Sequence, residues 1–212
     1  NGFLVSVVGI LPFVATLGTL TVFSGIAFLI SDGKTIFGRD IPESFSGFAR
    51  SGLIIGDVKV PMLSITAAIV IFICWSILEH TNFGRRLYAI GGNKEASYLA
   101  GIKVVRLRLI AFSLTGLGAA GAGLMYAARV ASANPTQGSG LMLDAIAAVF
   151  LGMTMSRQGE PKVIYTLVGV LILGVLDNGM TQLRVDSYVR EILVGIIVIA
   201  AVAIASLSKR SQ

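Results

Sequence analysis

The sequence predicts an all-α, polytopic helical membrane protein, and three observations carry the prediction. Of 212 residues, 55% are hydrophobic and only 13% charged, too few charges to cover a water-soluble domain of this size. The mean hydropathy is correspondingly high, +0.85. Charge also vanishes over long windows: 31 positions in Asn1–Ser31, 18 in Pro61–Leu78, 20 in Leu109–Ala128 and 17 in Ile192–Ser208. Val163–Leu183 is interrupted only by Asp177. A helix needs about 20 apolar residues to cross the roughly 30 Å hydrocarbon core. The alternating strands of about ten residues that build membrane β-barrels are not in the pattern.

Residues 1–212 are read as one transmembrane domain. The chain begins at Asn1 with no basic region before its first apolar run, so no signal peptide is read there. The expectation is the C-terminal part of a longer chain. Pro12 should break or kink the helix and leave Asn1–Ile10 as the end of a preceding element. The first full span is Leu11–Ile30, and it carries Thr16, Thr19, Thr21 and Ser24. Two readings stay open for these hydroxyls: bonds back to their own helix carbonyls, or a polar stripe along a pathway for a hydroxyl-rich solute.

Ser31–Val60 follows, a loop of mixed charge: Lys34, Arg39, Arg50 and Lys59 against Asp32, Asp40, Glu43 and Asp57. It is either a solvated connector or a docking surface. The second span, Pro61–Leu78, holds the lone cysteine, Cys74, which rules out an intrachain disulfide. A single histidine, His80, rules out a histidine metal or catalytic cluster within the chain.

The next loop, Glu79–Arg106, is polar yet contains a short capped helix. Asn93 is a good N-cap, Glu95 stands in the first turn on the favourable side of the dipole, and Gly101 suits the residue after the helix. About seven residues cannot hold a helix alone in water. The helix therefore needs a docking surface, through Tyr98, Leu99 and Ile102, on its own membrane domain or on a partner.

The third span is Leu107–Ala128. In it Gly116/Ala120, Gly118/Ala122 and Ala119/Gly123 repeat small residues at four-residue spacing, a pattern for close helix packing. "SANPTQGSG" (Ser132–Gly140), rich in turn formers, leads into Leu141–Met155, whose fifteen helical residues reach about 22 Å. That segment either crosses while short or re-enters as a half-helix. Val163–Gln182 and Ile192–Leu207 complete the set. If all six cross, placing Glu79–Arg106 inside puts 10 of the 17 Lys and Arg inside and 7 outside. Four of those 7 lie in the long Ser31–Val60 loop, so the balance favours a cytoplasmic Glu79–Arg106. Topology thus accounts for the net charge of +6 without nucleic acid.

Asp144 and Asp177 are the acids inside apolar segments. Asp144 is read in the first turn of its helix, where the dipole favours an anion. An intramembrane carboxylate is also a functional candidate, so an ion-coupled secondary transporter or channel using Asp144 and Asp177 stands as the alternative function.

"TNFGRRLYAIGGNKEASYLAGIKVVRLRL" (Thr81–Leu109) resembles the cytoplasmic loop of the ABC sugar importer permeases of the ribose-transport type. "LPFVATLGTLTVFSG" (Leu11–Gly25), "SANPTQGSGLMLDAIAAVFLG" (Ser132–Gly152) and "GVLILGVLDNGM" (Gly169–Met180) are similar to the same family, in the same order. Two stretches depart from it: the upstream "GGIDLSVG"-like segment is absent, and "GMTMSRQGEPK" (Gly152–Lys162) stands where relatives carry a glycine-rich turn. The resemblance implies the membrane subunit of an ATP-binding-cassette importer for a monosaccharide or similar polyol, in the bacterial inner membrane. Residues 81–106 would be the coupling loop, with Gly91, Gly92, Asn93, Lys94, Glu95, Ala96, Tyr98, Leu99 and Gly101 meeting the ATPase. The implied partners are an ABC ATPase subunit, a periplasmic sugar-binding protein and a second permease copy or homologue. The implied permease is not itself an enzyme and has no cofactor, ATP and Mg belonging to the partner; no G-x-x-x-x-G-K-S/T phosphate loop occurs in the sequence. Thr16, Thr19, Asn134 and Asn178 are the neutral hydrogen-bonding candidates for a sugar pathway.

Overall fold

A computed structural model describes residues 1–37, 42–55, 58–156 and 159–210. Arg39, Asp40, Asp57 and Arg157, counted above in the loop charges, lie outside the described residues. The chain forms two compact units, residues 1–137 and 138–212.

In the first unit a π-helical turn, Leu4–Val8, ends at Gly9 with φ +84°, a conformation glycine adopts without a Cβ penalty. Helix α1, Pro12–Ser31, then starts with proline at its first position, where the missing N–H costs nothing. The break expected at Pro12 is therefore present. After α1 come β1 (Ile36–Phe37), α2 (Glu43–Arg50), β2 (Gly52–Ile55) and β3 (Val58–Pro61). β2 and β3 pair antiparallel, with Leu53 opposite Val60 and Ile54 opposite Lys59. Among its described residues the 31–60 segment thus carries a short helix and a strand pair. Helix α3, Met62–His80, is followed at once by α4, Asn82–Gly92, and α5, Lys94–Leu99. Helix α6, Val104–Val130, returns, and β4 (Ser132–Ala133) pairs antiparallel with β1.

The second unit holds α7 (Ser139–Thr154), α8 (Val163–Gln182) and α9 (Ser187–Arg210). Among the described residues α1, α3, α6 and α8 are long and apolar enough to cross a membrane, and α7 is the shorter apolar helix. These five and α9 overlie the six predicted segments to within a few residues. They expose large apolar side chains, such as Phe13, Phe72, Leu117 and Val175, on the scale expected of a lipid-facing surface.

One expectation is corrected. α7 begins at Ser139, not Leu141, because Ser139 and Gly140 are helical and do not belong to the preceding turn. Asp144 is therefore the sixth residue of the helix, beyond the first turn, and the simple dipole account of it fails.

Close packing falls elsewhere than the glycine pattern of α6 suggests. At Gly116, Gly118 and Gly123 a Cβ would meet open space. In the second unit, by contrast, a Cβ on Gly169 of α8 would stand 2.2 Å from the carbonyl oxygen of Ala148. One on Gly152 of α7 would stand 2.6 Å from the backbone of Tyr165, and Ala147 and Ala148 between them are almost wholly buried. The α7–α8 contact is backbone against backbone, which in lipid supplies the dispersion energy that the hydrophobic effect does not. Gly169→Ala should lower the thermal stability of the detergent-solubilised protein by about 2 kcal/mol through overpacking. Gly174→Ala, with open space at its Cβ, should leave it unchanged or slightly raised. A thermal-shift assay on the two variants makes the comparison.

Candidate functional site

Six apolar residues build the site between the ends of α3 and α6. Phe83, Leu87 and Ile90 fall at i, i+4 and i+7 on α4, one face of a helix. Ile90 is buried with Val104 and Leu107 of α6, and Phe83, Leu87 and Ile102 pack against them. At about 2 kcal/mol for each buried aliphatic side chain, this cluster is a main source of order in the connection. Ile102 therefore spends its apolar surface inward.

The junction with α3 is tighter still. The Thr81 hydroxyl donates to the Ile77 carbonyl oxygen at 2.5 Å and accepts from the Gly84 N–H at 3.4 Å, closing α3 and opening α4 with one side chain. A Cβ on Gly84 would lie 1.9 Å from the Leu78 carbonyl oxygen. Only glycine allows that approach.

α5 is capped as the sequence predicts. Asn93 Oδ1 accepts from the Ala96 N–H at 2.9 Å, and Glu95 stands in the first turn. At the other end Gly101 has φ +78°, and the Ile102 N–H reaches back to the Ser97 carbonyl oxygen at 3.1 Å, satisfying a carbonyl the six-residue helix would otherwise leave bare. Ser97, 5% exposed, donates to the Asn93 carbonyl oxygen at 2.8 Å and faces inward. Tyr98 and Leu99 face outward, 72% and 85% exposed. Gly91, Gly92, Lys94 and Glu95 are exposed with them. The structure thus divides the three apolar residues noted in the loop: Ile102 anchors, while Tyr98 and Leu99 are offered.

α4 is the element the sequence reading missed. Its signals were there, a Thr81 N-cap and the Phe83/Leu87/Ile90 stripe, but Gly84, Gly91 and Gly92 read as loop.

Each of the four pathway candidates has hydrogen-bond partners close by in its own unit. The Thr16 hydroxyl donates to the carbonyl oxygens of Pro12 (2.9 Å) and Phe13 (3.1 Å), as back-bonding predicts. The Thr19 hydroxyl reaches Asn1 Oδ1 at 2.6 Å as well as the Thr16 carbonyl oxygen at 3.1 Å. Asn134 is the hub of the turn before α7. Its Nδ2 donates to Thr35 Oγ1 at 2.7 Å, while its Oδ1 accepts from the Thr136 N–H at 2.9 Å and hydroxyl at 2.8 Å. Asn178 accepts from Gln182 Nε2 at 3.1 Å. No cluster of metal-ligating side chains occurs among the described residues.

Residues 1–202 match the family described as "Branched-chain amino acid transport system / permease component". Among curated proteins the chain is 43% identical over 202 residues to the ribose import permease protein RbsC of Bacillus subtilis, covering 95% of this chain and 62% of that protein. It is 39% identical over 193 residues to the RbsC of Escherichia coli K12, covering 91% and 59%. To the D-allose transport system permease protein AlsC of E. coli K12 it is 36% identical over 204 residues, covering 96% and 61%. The chain thus spans about three fifths of the length of these relatives. No solved structure matches it.

The caps make a direct prediction. Asn93→Ala removes the side-chain acceptor at a cost of about 1 kcal/mol. Gly101→Ala forces a Cβ into the left-handed region at a cost of roughly 1–2 kcal/mol. Both variants should speed amide hydrogen exchange across residues 94–99 about fivefold or more, with exchange in the middle of α6 unchanged.

Proposed function

The chain belongs to the family of branched-chain amino acid transport system permease components, and we propose that it is the membrane subunit of an ATP-driven importer for a monosaccharide. The family's description names amino acids, but relatives at 36–43% identity are named for ribose and allose, and that similarity supports a sugar. The single observation that supports the mechanism is α5: a helix capped at both ends with Tyr98 and Leu99 exposed.

In this reading a separate ATPase subunit binds ATP and Mg and hydrolyses the nucleotide, while the permease does no bond-making chemistry. The ATPase grips Tyr98 and Leu99. Motion of α5 passes through the shared Asn93 junction to α4, and from α4 to α3 through the Gly84–Leu78 contact. It passes to α6 through Ile90, Val104 and Leu107. Displacing the spans then opens the solute path to one side or the other. The assembly would sit in a bacterial inner membrane with a second permease copy or homologue. A periplasmic sugar-binding protein would deliver solute to the opposite face, where α2 and the β2–β3 hairpin offer structured surface. Ion coupling through Asp144 and Asp177 finds no support in the relatives.

Truncating Tyr98 and Leu99 together to alanine should weaken binding of the cognate ATPase roughly 10- to 100-fold, as loss of exposed anchor residues does. ATP-dependent uptake of labelled ribose, allose or arabinose should fall with it, while thermal stability stays unchanged because both side chains are already exposed. Uptake that survives the double substitution and collapses with the proton gradient would refute the importer reading.

A further inference from the structure

We propose that the cations on α4 and beside it form a seat for anionic phospholipid headgroups, which holds the coupling region at the membrane surface. Residues 82–108 contain Arg85, Arg86, Lys94, Lys103, Arg106 and Arg108 against a single acid, Glu95. Among the described residues the one ion pair joins Lys34 to Asp32, so neither Glu95 nor nearby Glu79 neutralises any of these six. Arg85 Nη2 donates to a neutral acceptor, Asn82 Oδ1, at 2.6 Å. Such a concentration of unpaired charge needs a counterpart.

Depth selects the counterpart. Gly84 packs on the backbone of Leu78, two residues before α3 ends, so Arg85 and Arg86 start at the level of the span's last turn. Near that end Trp75 and His80 meet edge to face with ring centroids 4.3 Å apart, aromatic groups of the kind enriched where spans leave the hydrocarbon. Arg106 stands in the first turn of α6, whose Val104 and Leu107 pack on Ile90 of α4. Arg85, Arg86 and Arg106 are exposed. α4 has given its apolar face, Phe83, Leu87 and Ile90, to the protein. It cannot anchor in lipid by the usual insertion of that face, and its cations are what remain for the headgroups. Guanidinium groups suit phosphate oxygens in geometry as well as charge.

The test uses the full chain reconstituted in phosphatidylcholine bilayers doped with spin-labelled phosphatidylglycerol or spin-labelled phosphatidylcholine. The expected result is a severalfold enrichment of phosphatidylglycerol in the protein-immobilised fraction, since each cation near an anionic surface contributes about fivefold. Arg85→Gln with Arg86→Gln should bring the ratio close to that of the neutral lipid, and Arg85→Lys with Arg86→Lys should largely keep it. Should the glutamine variant fail to insert, wild-type enrichment must still fall as salt is raised towards ~1 M, where the screening length is about 3 Å. Enrichment insensitive to both salt and the glutamine substitutions overturns the proposal. So does a glutamine variant that keeps its lipid ratio but loses the ATPase in neutral lipid, which would give these cations to the protein partner.

Discussion

The contact on which the proposed coupling region depends is a small apolar cluster under α4, where Ile90 meets Val104 and Leu107. Without it α4 is an eleven-residue amphipathic segment and α5 a six-residue one, both too short to persist in water. With it, α4 is fixed to α6 on one side and, through the Gly84–Leu78 approach, to α3 on the other. α5 then inherits its direction from Asn93, which ends one helix and caps the next. The exposure of Tyr98 and Leu99 follows from that geometry, because the faces carrying Ser97 and Ile102 are already committed inward.

Most of the fold was legible because hydrocarbon imposes a simple rule: charge disappears wherever a helix crosses. The ends of α8 coincide with the predicted segment, and those of α1 and α3 differ from it by one or two residues. The short helix at Asn93 was legible for a different reason, since side-chain caps and a left-handed glycine are local features that do not wait for tertiary context. What the sequence hid depends on long-range contact. α4 was masked by three glycines, one of which is there because Leu78 lies against it. The β1–β4 pairing joins Ile36 to Ala133, nearly a hundred residues apart, and no local pattern announces it.

The small residues show the same division. A four-residue repeat of glycine and alanine indicates that a helix can be approached closely, but not which helix is approached. In α8 Gly169 is occupied by the Ala148 backbone; in α6 the repeated glycines meet nothing among the described residues. The hydroxyls of α1 are similar. Thr16 and Thr21 satisfy themselves on their own helix carbonyls, so their presence in a span does not by itself define a solute path.

The central claim is mechanical: force received at α5 reaches the spans through the Ile90 cluster. It is tested most directly by Ile90→Ala, which leaves Tyr98 and Leu99 in place but opens a cavity costing roughly 2–5 kcal/mol beneath α4. The quantity to measure is sugar moved per ATP hydrolysed by the reconstituted transporter, alongside the affinity of permease for ATPase. The account predicts that, with ATPase supplied at a concentration high enough to keep the complex assembled, the transport ratio falls by tenfold or so. An unchanged ratio in a correctly assembled complex would contradict it, because motion would then be passing to the spans by some other route.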